Sequence, residues 1–199
     1  MPVPHDEPAS RPVTQRTLIH HGKVFDVVAD RVDLGGQAPV VREYTTHPGA
    51  VAVIALDDED RVLLLSQYRH PVRRELWEPP AGLLDVPGEP EVLAARRELA
   101  EEADLAAARW WRLTSFFTSA GASDEHITVF LARDLTPVPD GSRYERQDEE
   151  AGMVPVWVPL DEAVAGVLDG SLECPTTVVG VLAAAAARAR AWATLTPVD

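Results

Sequence analysis

Hydrophobic positions fall in short runs and alternations along most of the chain, and their spacing divides it into elements. Val24 to Leu34 and Val40 to Thr45 alternate or run in β-branched residues around Gly35-Gly36, which predicts a hairpin-like pair of strands. Ala50 to Leu56 (AVAVIAL) and Val62 to Tyr68 (VLLLSQY) are apolar runs of strand length, separated by the turn-forming DDEDR segment, and predict two buried strands. A Pro-rich loop follows. From Glu89 to Ala103 the period changes to a helical one, with Val92, Leu99 and Ala103 on one stripe and the charges elsewhere. Trp110 to Phe117, Ile127 to Ala132 and Met153 to Val158 read as further strands, the last two separated by a polar loop over 134 to 151. Two helices are expected to follow. The first covers Leu160 to Leu168, with Asp161 favouring its start and Asp169-Gly170 ending it; the second runs from about Thr176 to Ala193.

A chain of 199 residues can bury one sizeable core, and no composition break inside it marks a second. Residues 1 to 13 are Pro-rich and aperiodic, so they read as a flexible arm. Residues 14 to 46 then form an N-terminal β region, and residues 47 to 199 a domain of catalytic size. The formal charge is −14, from 18 basic against 32 acidic side chains, which opposes binding to nucleic acid or to an anionic membrane. A polyanionic substrate therefore needs local arginine or a metal ion. No apolar stretch has the length of a signal peptide or a span, since Arg188 and Arg190 interrupt the alanine-rich run. Cys174 stands alone, without a disulfide partner or zinc-ligand spacing to the six histidines, so a reducing cytoplasm is the expected compartment.

The chemistry concentrates on the helix that begins near Glu89. Glu98 and Glu102 are spaced i and i+4, and Glu98 and Glu101 i and i+3, so three carboxylates share one face. Clustered like charges disfavour full ionisation, whereas a hard divalent ion takes carboxylate oxygens and also holds phosphate oxygens. A hexapeptide such as RELAEE on its own is more often a solvated helix face. Its surroundings change that reading. Gly82, Glu89, Arg97, Glu98, Leu99, Glu101, Glu102 and Leu105 occur in the order and nearly the spacing of the Nudix box, which the segment Gly82 to Leu105 resembles. Two departures are one extra residue between Gly82 and Glu89, and Asp104 in place of the usual Gly. Neither removes a carboxylate, and Asp tolerates a left-handed backbone.

The resemblance implies that Glu98 and Glu102 are the main magnesium ligands, with manganese as an alternative ion. It makes Glu101 a further ligand or base, and the carbonyl of Ala81 another ligand. Arg97 would pair with Glu89 and orient the ligand carboxylates, a partner role that holds metal ligands in place. HPGAVAVIAL, SQYRHPVRRELWEPPAGLLD, SDE at 123 to 125 and DEEAGM at 148 to 153 extend the likeness to the ADP-ribose pyrophosphatase branch of that family. That branch implies a compact α/β/α sandwich around a mixed sheet, a homodimer built through the N-terminal β region, and hydrolysis of ADP-ribose to AMP and ribose 5-phosphate. Arg69 and Arg42 would hold the nucleotide, with Phe25 and Glu125 as further substrate contacts, because an arginine fork pairs with phosphate and stacks on a purine. Glu150, or else Glu149, would activate water from the acidic loop. Trp77 reads as core packing. Ala120-Gly121 replaces the Pro-Gly of many ADP-sugar pyrophosphatases, so another nucleoside diphosphate sugar or a dinucleotide such as NADH stays open as substrate. A non-hydrolysing ADP-ribose-binding module is the alternative from another class.

Overall fold

The computed structural model describes residues 3–36, 38–144 and 152–198. The chain separates into two compact units, one of residues 1–48 with 119–125, the other of residues 49–118 with 126–199.

In the first unit, β1 (Val13–His21), β2 (Asp26–Val32) and β3 (Val40–Thr46) form an antiparallel sheet in that order. The hairpin expected around Gly35-Gly36 is the β2–β3 connection, with Asp26 opposite Thr46 and Val32 opposite Val40. Gly35 sits at φ 80, a left-handed backbone that glycine adopts without a Cβ penalty. β1 is an addition to the sequence reading, and every one of its nine residues is exposed. What ties it down is polar: Arg16 donates from Nε and Nη2 to both oxygens of Asp30 at 2.7 Å, and Tyr44 donates its hydroxyl to Asp30 at 2.9 Å. Residues 119–125 join this unit by a parallel bridge of Ser123 to Thr45, where the amides of Thr45 and Asp124 bond Ala122 and Thr45 carbonyls. Residues 3–12 carry neither helix nor strand.

The second unit has a five-stranded sheet, β11-β8-β9-β4-β7, and a three-stranded one, β10-β5-β6. Their strands are β4 (Ala50–Ala55), β5 (Arg61–Arg69), β6 (Arg74–Glu78), β7 (Ala81–Leu83), β8 (Leu105–Phe117), β9 (His126–Pro137), β10 (Val154–Pro159) and β11 (Thr196–Pro197). β4 and β9 run parallel and the other pairs antiparallel, so the larger sheet is mixed. The helices are α1 (Glu91–Ala103), α2 (Leu160–Leu168) and α3 (Pro175–Arg188). Strand alternation splits the core in two. Val51, Val53 and Ala55 of β4 pack with Ala94, Ala95 and Leu99 of α1, while Ala52 and Ile54 pack with Leu160, Ala163, Val181 and Ala184 of α2 and α3. Helices on both faces explain why AVAVIA is apolar at every position, and they give the expected α/β/α sandwich. Gly180 lets α3 close on the sheet, since a Cβ there would stand 2.6 Å from Ile54 Cδ1.

Several boundaries differ from the sequence reading. The Pro-rich loop contains β6 and β7, both too short to show a period. β8 starts at Leu105 directly after α1, and β9 continues to Pro137 into the region expected as loop. α3 stops at Arg188 rather than near Ala193, because Ala191 and Trp192 turn left-handed at φ 51 and 61. That turn seats the Trp192 ring 5.4 Å from the Arg133 guanidinium, and the chain then pairs Thr196 and Pro197 with Arg112 and Trp111 of β8. Tertiary contacts thus override the helical propensity of the alanine run. Asp161 lies in the first turn of α2 without capping it, and accepts instead from Arg188 of α3. No helix among the described residues is long and apolar enough to cross a membrane.

Candidate active site

The site is built where α1 lies over β7. Pro90 precedes the helix in an extended conformation and Glu91 occupies its first turn, which suits the positive end of the helix dipole. Asp104 ends it at φ 55, ψ 34, so the position usually held by Gly in the box is indeed a left-handed cap. Between these ends, Glu98 and Glu102 turn inward to 9% and 7% exposure, although both are carboxylates. β7 explains how they are accommodated. It pairs with β4 through Ala81–Ala52 and Gly82–Val51, and presents its backbone to the helix. The Ala81 amide donates to Glu102 Oε2 at 2.9 Å. Gly82 leaves a cradle that the Glu98 carboxylate fills: a Cβ there would stand 2.1 Å from Glu98 Cδ and Oε1.

Arg97 gathers the acids. Its Nη2 and Nε donate to Glu89 at 3.0 and 3.3 Å, while Nη1 donates to Glu98 Oε1 at 2.5 Å and to Glu101 Oε2 at 3.5 Å. The hydrogen bonds to Glu89, and then the charge of Glu98, hold this guanidinium above its ordinary range against the opposing effect of burial. The pairing of Arg97 with Glu89, implied by the resemblance, is present, and the same arginine also reaches two carboxylates of the box.

This donor set fits a magnesium ion in kind. It offers hard carboxylate oxygens, one of them seated in a cradle only glycine permits, held by a guanidinium that can keep them in place. Among the described residues, no group of three or more acidic, histidine or cysteine side chains is placed to hold a metal ion by itself. Of Ala81, expected to offer its carbonyl, it is the amide that meets Glu102.

Arg69, at the end of β5, is engaged side-on by Glu78 of β6. Nε donates to Oε1 at 2.9 Å and Nη2 to Oε2 at 2.7 Å, a bidentate fork on a carboxylate that is only 7% exposed. These bonds raise the Arg69 pKa foremost, and the charge of Glu102 adds to the same shift, so the guanidinium lies within electrostatic reach of the box. Sequence reasoning passed over Glu78; the signal available was its place in LWEPPAG, directly before the turn into β7. Trp77 packs partly buried against the core, as expected.

Three further sequence candidates belong to the N-terminal unit. Arg42 on β3 is exposed, lies opposite Asp30 in the sheet register, and donates to the carbonyl of Val41 at 3.0 Å. Phe25 is 45% exposed in the turn before β2, where its carbonyl accepts from Gly22. Glu125 stands 3.6 Å from His47 Nε2, and its amide donates to Ser123 Oγ at 3.1 Å. Glu149 and Glu150 lie outside the described residues.

Acidic side chains arranged on a helix against a backbone cradle, with one arginine ordering them, can hold a cation that in turn holds phosphate oxygens. Residues 46–173 match the NUDIX domain, and the chain belongs to that family. It is 44% identical over 171 residues to "ADP-ribose pyrophosphatase" of Mycobacterium tuberculosis (strain ATCC 25618 / H37Rv), covering 86% of this chain and 81% of that protein. It is 39% identical over 147 residues to "ADP-ribose pyrophosphatase" of Bacillus subtilis (strain 168), covering 73% and 77%. A crystal structure titled "ADP compounds hydrolase" shares the fold with a TM-score of 0.72 at 20% identity, over 94% of this chain and 96% of that one.

Proposed function

We propose that this chain is a metal-dependent pyrophosphohydrolase that cleaves ADP-ribose to AMP and ribose 5-phosphate. The observation that carries the reading is the seating of Glu98 and Glu102 against Ala81 and Gly82 under the control of Arg97. The substrate assignment is supported by the two relatives whose names carry that activity. Magnesium is the ion, with manganese as an alternative; when bound, it supplies positive charge to the diphosphate oxygens and acidifies water. Glu98 and Glu102, with Glu101 and the Ala81 carbonyl, hold it; Arg97 and Glu89 keep the carboxylates oriented. Arg69 and Arg42 hold the nucleotide, with Phe25 and Glu125 as further contacts. Glu150, with Glu149 as the neighbouring alternative, takes the proton of the attacking water. The reaction needs charge stabilisation and positioning rather than a covalent nucleophile.

The enzyme is a homodimer in a reducing cytoplasm, assembled through the N-terminal β region. In support, β1 exposes Val13, Leu18 and Ile19, and β3 exposes Val41. Removing residues 1 to 13 should leave assembly intact, whereas removing residues 1 to 46 should give a monomer with a raised KM; a fully active monomer would refute the arrangement.

Product analysis on a panel of nucleoside diphosphate sugars and dinucleotides with magnesium tests the activity. AMP and ribose 5-phosphate from ADP-ribose, at a kcat/KM above that for the other compounds, is the expected result. Tight binding of ADP-ribose without turnover would replace this reading with that of a binding module.

A further inference from the structure

Glu78 has no role in the box, yet its carboxylate is buried in a strand that otherwise contributes core and surface packing. A buried carboxylate is costly unless paired and hydrogen-bonded, and here the partner is Arg69 through both oxygens. The fork uses Nε and Nη2 of the guanidinium. Nη1 makes no hydrogen bond with any described residue, and the Arg69 side chain remains 43% exposed. A planar guanidinium fixed at two nitrogens cannot rotate about its axis, so the direction of its remaining N–H groups is set by Glu78. The charge of Glu102, one of the box carboxylates, reaches this same guanidinium. The neighbouring Arg74 is drawn instead to Glu173.

We infer that Glu78 is a positioning residue: by clamping one edge of Arg69 it presents the Nη1 edge to a phosphate oxygen of a nucleoside diphosphate substrate. The inference rests on the proposed reading that Arg69 holds the nucleotide. It differs from a simple field effect in sign. Glu78→Gln removes a negative charge from the site, which on electrostatics alone strengthens binding of a polyanion. As a clamp, glutamine accepts one hydrogen bond from Arg69 and turns an amide donor against its second nitrogen, so the guanidinium is released and binding weakens.

The test is calorimetric titration of ADP-ribose into the full chain with chelator present, alongside steady-state kinetics with magnesium. Glu78→Gln is expected to raise both Kd and KM about tenfold, the cost of one lost charge-assisted hydrogen bond, and to leave kcat near wild type. Arg69→Ala should weaken binding at least as much, and the double variant should be no weaker than Arg69→Ala alone, because the carboxylate acts only through the arginine. Glu78→Gln binding as tightly as wild type or tighter overturns the proposal, as does additivity in the double variant. If Glu78→Gln does not fold, Arg69→Lys keeps the charge and loses the fork; near-wild-type affinity of that variant overturns the proposal too. Wild-type turnover with unchanged KM in Arg69→Ala overturns this inference and the nucleotide contact assigned to Arg69, and leaves the proposed reaction standing. A wild-type protein that neither binds nor cleaves ADP-ribose overturns it together with the proposed function.

Discussion

Gly82→Ala separates the proposed metal-holding role of Glu98 from the packing of its cradle. The added methyl carbon would sit 2.1 Å from Glu98 Cδ and Oε1, and ordinary contact begins at 3.4 Å, so the carboxylate must retreat by more than an ångström. The three atoms nearest the methyl all belong to the far end of one side chain, so the clash can be relieved by moving Glu98 rather than the backbone of β7. The stability cost is then a displaced rotamer, about 0.5–1.5 kcal/mol. Against it stands the reduced freedom of the unfolded chain, about 0.4–1 kcal/mol in the opposite direction. The two nearly cancel, and the melting temperature should stay within about 4 °C of wild type. Activity should not be spared. Magnesium holds oxygen ligands at about 2.0–2.1 Å in strict geometry, so a carboxylate moved by more than an ångström no longer ligates. Turnover of ADP-ribose should fall on the order of a hundredfold or more, with partial recovery at high magnesium. The assay is initial-rate measurement over a magnesium titration, beside a thermal melt of the same sample. A variant with both its melting temperature and its turnover near wild type would refute the seat assigned to Glu98.

Glu102→Gln should lower turnover by about two orders of magnitude and weaken manganese binding followed by electron paramagnetic resonance, with an unchanged circular dichroism spectrum; undiminished metal affinity would remove Glu102 from the ligand set. Glu150→Gln should reduce kcat by about 10²–10⁴ with KM near wild type, Glu149→Gln being the milder change, and the reverse ranking would move the base by one residue. Burial foremost, and then the charge of Glu78, push the Cys174 thiol up, so the native protein should resist a disulfide reagent at about pH 8 and react fully in denaturant. Asp30 is held below the usual carboxylate range chiefly by the hydrogen bonds from Arg16. Its contribution to the β1–β3 sheet is therefore complete above the unfolded value of about 3.9 and is lost as pH falls through the lower folded value. Amide exchange in β1 and β2 should respond to Asp30→Asn at neutral pH and converge with wild type in strong acid; no difference at neutral pH would discount the pair.

The parts of the fold visible in the sequence are those where burial imposes a pattern. β4 and β5 are apolar because both faces are covered, and α1 shows its stripe because one side meets the sheet. β1 was invisible for the opposite reason: with all nine residues exposed, no alternation of apolar and polar positions is required, and Arg16, Asp30 and Tyr44 hold it by side-chain bonds that have no period. The overlong α3 has a different cause, since alanine favours helix wherever nothing else competes, and the competing contact is Arg133 on Trp192, distant in sequence. At the site, helical spacing placed the three carboxylates on one face, and the residues around them that resemble the Nudix box marked that face as a candidate site. Their inequality was not legible: Glu98 and Glu102 turn inward because Gly82 and Ala81 face them, a fact set by the pairing of β7 with β4. The Glu78 clamp was hidden by register. The backbone neighbour of Arg69 in the hairpin is Arg74, and that of Glu78 is Leu65, so only a side chain reaching along the strand joins them.

The two residues of β11 carry a consequence for solubility. β8 is thirteen residues long and lies at the outer side of its sheet, where an unpaired strand is a template for a second chain. β11 covers it at Arg112 and Trp111, and the amide of Val198 bonds the Trp110 carbonyl just beyond. The tail thus acts as a guard placed at the middle of the edge rather than along its whole length, and it is tethered there by the stacking of Trp192 under Arg133. A protein trimmed after Arg188 would keep every carboxylate of the box and still be prone to edge-to-edge aggregation as its concentration rises.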